Sequence, residues 1–223
     1  MDTSFWHKCW ERNALGFHQQ QAHPFLSQHF KPRCLATDRH VFVPLCGKSL
    51  DMAYLAQSMQ VSGSEISEIA CRDFFLDNNI AFQQQTSGDF EQFYSPVLSL
   101  WQGDFFKLSP ELIEPVDWIY DRAALIALPK AMQLAYVKHL KTFFSSHTRL
   151  FLVTLEFPAQ QLVGPPFSIR NCDITRLFSG FNIEYVASNE LKDKQFAQRT
   201  FEVDYLIEKL YVITLDSKKI VGY

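Results

Sequence analysis

The chain has 223 residues and a mass of 25.9 kDa, and 47% of its residues are hydrophobic, which is enough for one sizeable core. Its net charge of −3 and pI near 6.2 leave no basic footprint for nucleic acid or for an anionic membrane surface. Five scattered cysteines (Cys9, Cys34, Cys46, Cys71 and Cys172) form no Cys-x-x-Cys pair, so neither a metal site nor a disulfide framework is expected, and a reducing cytoplasm is the simplest setting.

The N-terminus, Met1 to Trp6, has neither the basic nor the apolar stretch of a signal peptide, and no apolar run approaches a membrane span. Phe5, Trp6 and Trp10 lie on one face of a predicted helix over residues 3–12. A second helix is predicted over 22–31, starting at His23-Pro24, so residues 1–35 read as a helical N-terminal extension suited to a lid. The run His40 to Pro44 is short and continuously apolar, as in a strand buried on both faces. Ser49 then caps a helix reaching Met59. A strand over 61–66, a helix over 68–78, and strands over 97–101 and 116–120 follow. Helices are predicted over 123–128 and 130–144, and a fifth strand over 150–155. Strands alternating with helices predict an α/β fold with a mostly parallel sheet. Beyond residue 170 come a helix over 174–178 and strands over 181–186 and 201–215, the pattern of an antiparallel hairpin at one edge. Residues 216–223 read as a flexible tail. No internal repeat or linker divides the chain, which is expected to be a single domain over 1–223.

Ligands of such a sheet bind at the carboxyl ends of the strands. After the first strand comes Pro44-Leu45-Cys46-Gly47-Lys48-Ser49, with one glycine where a dinucleotide site needs three. That counts against NAD and FAD and suits a nucleoside without phosphates. A P-loop is excluded because its first glycine falls at Phe42. Glu65 ends the second strand, twenty positions after Leu45, where a carboxylate accepts from both ribose hydroxyls; the bland alternative is a solvated charge. Asp104 and Phe105 follow the third strand and suit an adenine edge and face, against an ordinary turn. Arg122 follows the fourth strand. It suits a cofactor carboxylate or a developing anion, against an ion pair with Asp121, and is the one candidate for direct participation in catalysis. Trp6, Trp10 and Phe17 suit an aromatic lid whose faces attract a sulfonium, against plain helix packing. His18 is a lone histidine, more often structural than a base. The loop Gly164-Pro165-Pro166-Phe167 is stiff and suits a pocket cap.

These residues resemble the thiopurine S-methyltransferases, bacterial members included. The similarity rests on Phe17-His18-Gln19, Val41 to Met52, Gly63-Ser64-Glu65-Ile66-Ser67-Glu68, Gly103 to Phe106, Tyr120 to Leu125 and Gly164 to Phe167, and it runs from about residue 4 to about residue 215. The Pro-Leu-Cys-Gly-Lys and Asp-Arg-Ala-Ala-Leu runs are the specific ones. The resemblance implies a class I, Rossmann-like methyltransferase fold, with a seven-stranded sheet, helices on both faces and an antiparallel last strand. It implies S-adenosylmethionine as methyl donor, with Trp6, Leu45, Glu65, Asp104, Phe105 and Arg122 at the cofactor and Phe17 bordering cofactor and acceptor. The implied acceptor is a small aromatic or heterocyclic thiol. Ser64 departs from the family's apolar residue before the acidic one, which matters little if its side chain points away from the cofactor.

Two rivals come from other classes: a non-catalytic S-adenosylmethionine-binding sensor, and a nicotinamide oxidoreductase, against which the missing glycines count. Within the methyltransferases, selenium or tellurium compounds are alternative native acceptors. No nucleic-acid or membrane partner and no metal are expected, and the chain is expected to be a monomer.

Overall fold

The computed structural model describes residues 3–216. Its contacts group into two compact units, divided between Glu114 and Pro115.

The first unit begins with α1 (Thr3–Glu11). The helix predicted over 22–31 is instead a π-helical turn, Leu26–Phe30, running into a 3₁₀ turn, Lys31–Arg33. Pro32 lacks the amide that an α-helical ladder would need there. The expected order then follows: β1 (His40–Val43), α2 (Leu50–Leu55), β2 (Gln60–Glu65) and α3 (Glu68–Asp77). Ser49 caps α2 by accepting from the Asp51 amide, and Ser67 caps α3 by accepting from Ala70. α2 stops at Leu55, short of the predicted Met59. A hairpin of β3 (Gln83–Ser87) and β4 (Phe90–Tyr94) precedes β5 (Leu98–Gln102).

β1 and β2 pair in parallel, with Val43 opposite Gly63, and β2 pairs in parallel with β5, with Glu65 opposite Gln102. β4 lies antiparallel against β5, and β3 closes that edge against β4. The core of this unit is ring-rich, as 21 phenylalanines suggest. Phe42 stacks on Phe105, Phe74 meets Phe75 edge to face, and Phe82 bridges Phe75 and Phe93. Such pairs add about 0.5–1.5 kcal/mol each beyond area burial.

The second unit carries β6 (Trp118–Arg122), α4 (Lys130–Leu140), β7 (Arg149–Glu156) and α5 (Asn171–Leu177). β8 (Phe181–Glu190), the two-residue strands β9 (Gln195–Phe196) and β10 (Arg199–Thr200), and β11 (Ile207–Leu215) complete it. The predicted helix over 123–128 is only a 3₁₀ turn at Leu125–Ala127. The predicted helix over 130–144 divides into α4 and a 3₁₀ turn at Lys141–Phe143. β6 and β7 are parallel; β11 lies antiparallel to both β7 and β8, so the last strand reverses as expected.

The seven-strand expectation needs correction. Among the described residues the first unit has five strands and the second four in its sheet, apart from the β9–β10 hairpin. The unforeseen pair is β3–β4. β3 is the polar run Gln83-Gln84-Gln85-Thr86-Ser87, almost wholly exposed, and it has no apolar alternation to announce it. The expected tail lies outside the described residues beyond Asp216.

Candidate active site

The carboxyl ends of β1, β2 and β5 converge through backbone bonds. The Cys46 amide donates to the Ser64 carbonyl (2.9 Å), and the Gly103 amide to the Glu65 carbonyl (2.8 Å). Gln102 adds a side-chain bond, Nε2 to the Ile66 carbonyl at 3.0 Å. Leu45, Glu65 and Asp104, assigned to three separate strand ends, therefore belong to one hydrogen-bonded rim.

Glu65 is 6% exposed. Its Oε2 accepts from the Gly47 amide and its Oε1 from the Ser67 amide, both at 2.8 Å. Burial raises its carboxyl above the ordinary glutamate range, against the lowering effect of the Ser67, Gly47 and Ile66 amides. Two lone pairs on each oxygen leave capacity for further donors beside those amides. This is a held, oriented acceptor rather than a solvated strand-end charge. Burial, and then the Glu65 charge, push the Cys46 thiol well up, which disfavours its thiolate.

The turn after β1 is unusual in its backbone. Leu45 has φ +47° and Gly47 φ +54°. Glycine adopts this region freely, but a bulky residue held there costs about 1–3 kcal/mol. A Cβ on Gly47 would also stand 3.1 Å from the Trp10 ring, so α1 lies directly over this turn. Lys48 fastens the turn to α3, with Nζ 2.8 Å from Asp77 and 3.5 Å from Asp73. Burial alone would lower the Lys48 pKa, but the two aspartates outweigh it and raise it.

The aromatic cluster exists as expected. Phe17 meets both Trp6 and Trp10 edge to face at 5.6 Å. Trp10 is buried, whereas Trp6 and Phe17 are half-buried. Asp104 is half-buried and accepts the Phe106 amide at 3.0 Å. The Phe105 ring is buried against Phe42, so this residue faces the core with its side chain.

In the second unit Arg122 ends β6, half-buried, and the chain leaves the strand through Ala123 at φ +71°. Its neighbour Asp121 is 1% exposed and accepts from the Tyr136 hydroxyl (2.7 Å) and the Leu125 amide (3.1 Å). Burial raises Asp121 to about 6 despite these donors. The Gly164–Phe167 loop is anchored by Ser168, whose Oγ accepts the Phe157 amide (3.0 Å) and donates to the Phe157 carbonyl (2.7 Å).

Two site features escaped the sequence reading. One is the seat of Trp10 on Gly47. The other is Ser64, which is fully buried and accepts the Leu45 amide on its hydroxyl at 3.2 Å, so its side chain is not idle. No local pattern signals either contact.

A phosphate-free nucleoside fits this donor and acceptor set: an anchored buried carboxylate for vicinal hydroxyls, half-buried rings, and one glycine in the turn rather than a pyrophosphate cradle. The thiopurine S-methyltransferase family model matches residues 1–216. A thiopurine S-methyltransferase of Shewanella baltica (strain OS223) is 40% identical over 217 residues, covering 96% of this chain and 99% of its own. Its counterpart in Shewanella oneidensis is 38% identical over the same share of each chain. Among solved structures, a SAM-dependent methyltransferase from Anabaena variabilis aligns with a TM-score of 0.66 at 13% identity, over 97% of this chain and 96% of that one. Magnesium protoporphyrin IX methyltransferase from Synechocystis with bound SAM aligns at 0.63 and 15% identity, over 97% and 98%. These structural likenesses establish the Rossmann-like methyltransferase fold. With the family match spanning nearly its full length, the chain belongs to the thiopurine S-methyltransferase family.

Proposed function

We propose that this chain, an S-adenosylmethionine-dependent methyltransferase, delivers the methyl group to the sulfur of a small aromatic or heterocyclic thiol of the thiopurine kind. The observation that carries the site assignment is the anchored Glu65 carboxylate beside the Leu45–Gly47 turn, with Trp10 over that turn and Phe17 against Trp10.

S-adenosylmethionine supplies an electrophilic methyl on a sulfonium. The chain's work is to bind, orient and exclude water. Glu65 takes the ribose hydroxyls, and its two backbone donors keep it from swinging away. Leu45 borders the cofactor through its turn, Asp104 meets the adenine edge, and Phe105 supports that position from the core. Trp6 offers a ring face to the sulfonium. Phe17 stands between cofactor and acceptor. Arg122 serves a carboxylate of the cofactor or the anionic acceptor, and it is the residue assigned to hold developing charge. The nucleophile must sit about 3 Å from the methyl carbon, in line with the departing sulfur. A soft thiol ionises readily, so no strong base is required of the chain.

The same reading treats residues 1–223 as one methyltransferase domain, with 1–35 as its lid, acting as a monomer in a reducing cytoplasm without a nucleic-acid partner. The family match over 1–216 supports the single domain, the five free cysteines the reducing setting, and the net charge of −3 the lack of a nucleic-acid partner. No helix among the described residues is long and apolar enough to cross a membrane.

The test is calorimetric titration with S-adenosylmethionine, followed by addition of a thiopurine and assay of S-adenosylhomocysteine. Binding and turnover are expected. Binding without turnover on any thiol moves the proposal to selenium or tellurium acceptors or to a sensor.

A further inference from the structure

Three consecutive amides of the turn after β1 are received by two consecutive residues of β2. Leu45 donates to Ser64 Oγ at 3.2 Å, Cys46 to the Ser64 carbonyl at 2.9 Å, and Gly47 to Glu65 Oε2 at 2.8 Å. The second bond extends the β1–β2 ladder past its last register pair, Val43 and Gly63. The third belongs to the carboxylate already described. The first is a side-chain device: a fully buried hydroxyl, nineteen positions away, meeting the amide of a non-glycine residue at φ +47°.

A bulky residue stays in that region only where its surroundings over-determine it. Leu45 is one of the turn's two left-handed residues, and unlike Gly47 it has a Cβ penalty to overcome. Without an acceptor, its amide would be desolvated and unpaired, and the easiest relief is rotation of the Pro44–Leu45 peptide towards negative φ. That rotation would turn Leu45 away from the rim and disturb the neighbouring amide held by Glu65.

We infer that Ser64 is a positioning residue, whose hydroxyl holds Leu45 in its left-handed conformation and so keeps the turn in its cofactor-binding shape. Ser64 acts through Leu45 and touches no reactant. The inference rests on the assignment of Leu45 to the cofactor site. Loss of the hydroxyl lowers the fraction of molecules with a competent turn, and apparent affinity falls by that fraction. Once the cofactor is bound the turn is restored, so turnover at saturation is unaffected.

The test pairs amide hydrogen exchange at Leu45, read by NMR, with calorimetric titration of S-adenosylhomocysteine, for the wild-type chain and Ser64→Ala. The expected results are exchange at Leu45 faster by roughly tenfold or more in the variant, with Val41 and Phe42 unchanged, and affinity weaker by roughly 3- to 10-fold. The kcat at saturating S-adenosylmethionine should stay within about twofold. A residue that merely stabilised the fold would lower the unfolding midpoint and leave affinity alone; unchanged affinity therefore overturns the inference. So does a wild-type Leu45 amide that exchanges as fast as an exposed one, a measurement that needs no variant. Should Ser64→Ala not fold, Ser64→Cys keeps the shape with a poor acceptor and is read in the same way. A wild-type chain that binds S-adenosylhomocysteine with no change in the Leu45 amide chemical shift overturns the Leu45 assignment, and this inference with it. A wild-type chain that does not bind it at all overturns the functional reading instead.

Discussion

Replacing Glu65 with Gln keeps the shape and one carbonyl oxygen but exchanges the other acceptor for an NH₂ donor. In the structure both carboxylate oxygens are engaged, Oε1 by the Ser67 amide and Oε2 by the Gly47 amide, each at 2.8 Å. One of these amides must then face a donor, and the ribose hydroxyls lose their anionic acceptor. A hydrogen bond to a charged group contributes about 1.5–3 kcal/mol and a neutral one about 1 kcal/mol. Two weakened hydroxyl bonds thus amount to a loss of roughly 1–4 kcal/mol, or roughly 5- to 900-fold in Kd for S-adenosylhomocysteine. Acidity supplies a second reading. Burial raises the Glu65 pKa, so wild-type affinity should fall with decreasing pH at a point above the ordinary glutamate range, while Glu65→Gln stays flat. Calorimetric titration between about pH 5 and about pH 8, with urea unfolding to confirm an intact fold, measures both. A folded variant that binds within about threefold of wild type would falsify the ribose assignment.

Further outcomes follow from other sites. Asp121 is raised from 3.8 to about 6 by burial, so the folded state binds this proton more tightly than the unfolded one. Its contribution is present below pH 4 and is lost as pH rises through about 6, a change of up to ~3 kcal/mol in wild type relative to Asp121→Asn; parallel urea-stability curves for the two chains across that window would contradict it. Gly63→Ala places a Cβ 2.6 Å from Leu100 Cδ2, 2.8 Å from Cys46 Sγ and 3.2 Å from Met52 Sδ, all buried. Overpacking there should cost about 1–3 kcal/mol in urea unfolding, and an unchanged midpoint would mean that the interior yields more easily than its contacts suggest. Ser168→Ala leaves the Phe157 amide and carbonyl without their buried partner. Stability should fall by about 1–3 kcal/mol, with S-adenosylhomocysteine affinity unchanged; weaker cofactor binding would place this anchor in the cofactor site instead.

The strand–helix alternation was legible because it is written in local periodicity. Val41 to Val43 is apolar at every position, and Ser49 and Ser67 announce the helices that follow. The spacing from Leu45 to Glu65 points to a carboxylate at a strand end from the sequence alone. The β3–β4 hairpin escaped because an edge strand exposed on nearly all positions carries no burial pattern. The helix predicted over 22–31 failed because Pro32 and the wider Leu26–Phe30 turn break α-helical spacing without removing its apolar residues.

What the sequence determined by itself was the order of the strands outside the β3–β4 and β9–β10 hairpins and the chemical type offered at each strand end, since both follow from residues close together in the chain. The fold alone decided that Glu65 would be clamped by Gly47, that Trp10 would cover that glycine, and that the Ser64 hydroxyl would meet the Leu45 amide. Those partners lie eighteen to thirty-seven positions apart. Their contact depends on strand register and on where a helix comes to rest, both set by packing of the whole core rather than by the preferences of any one segment.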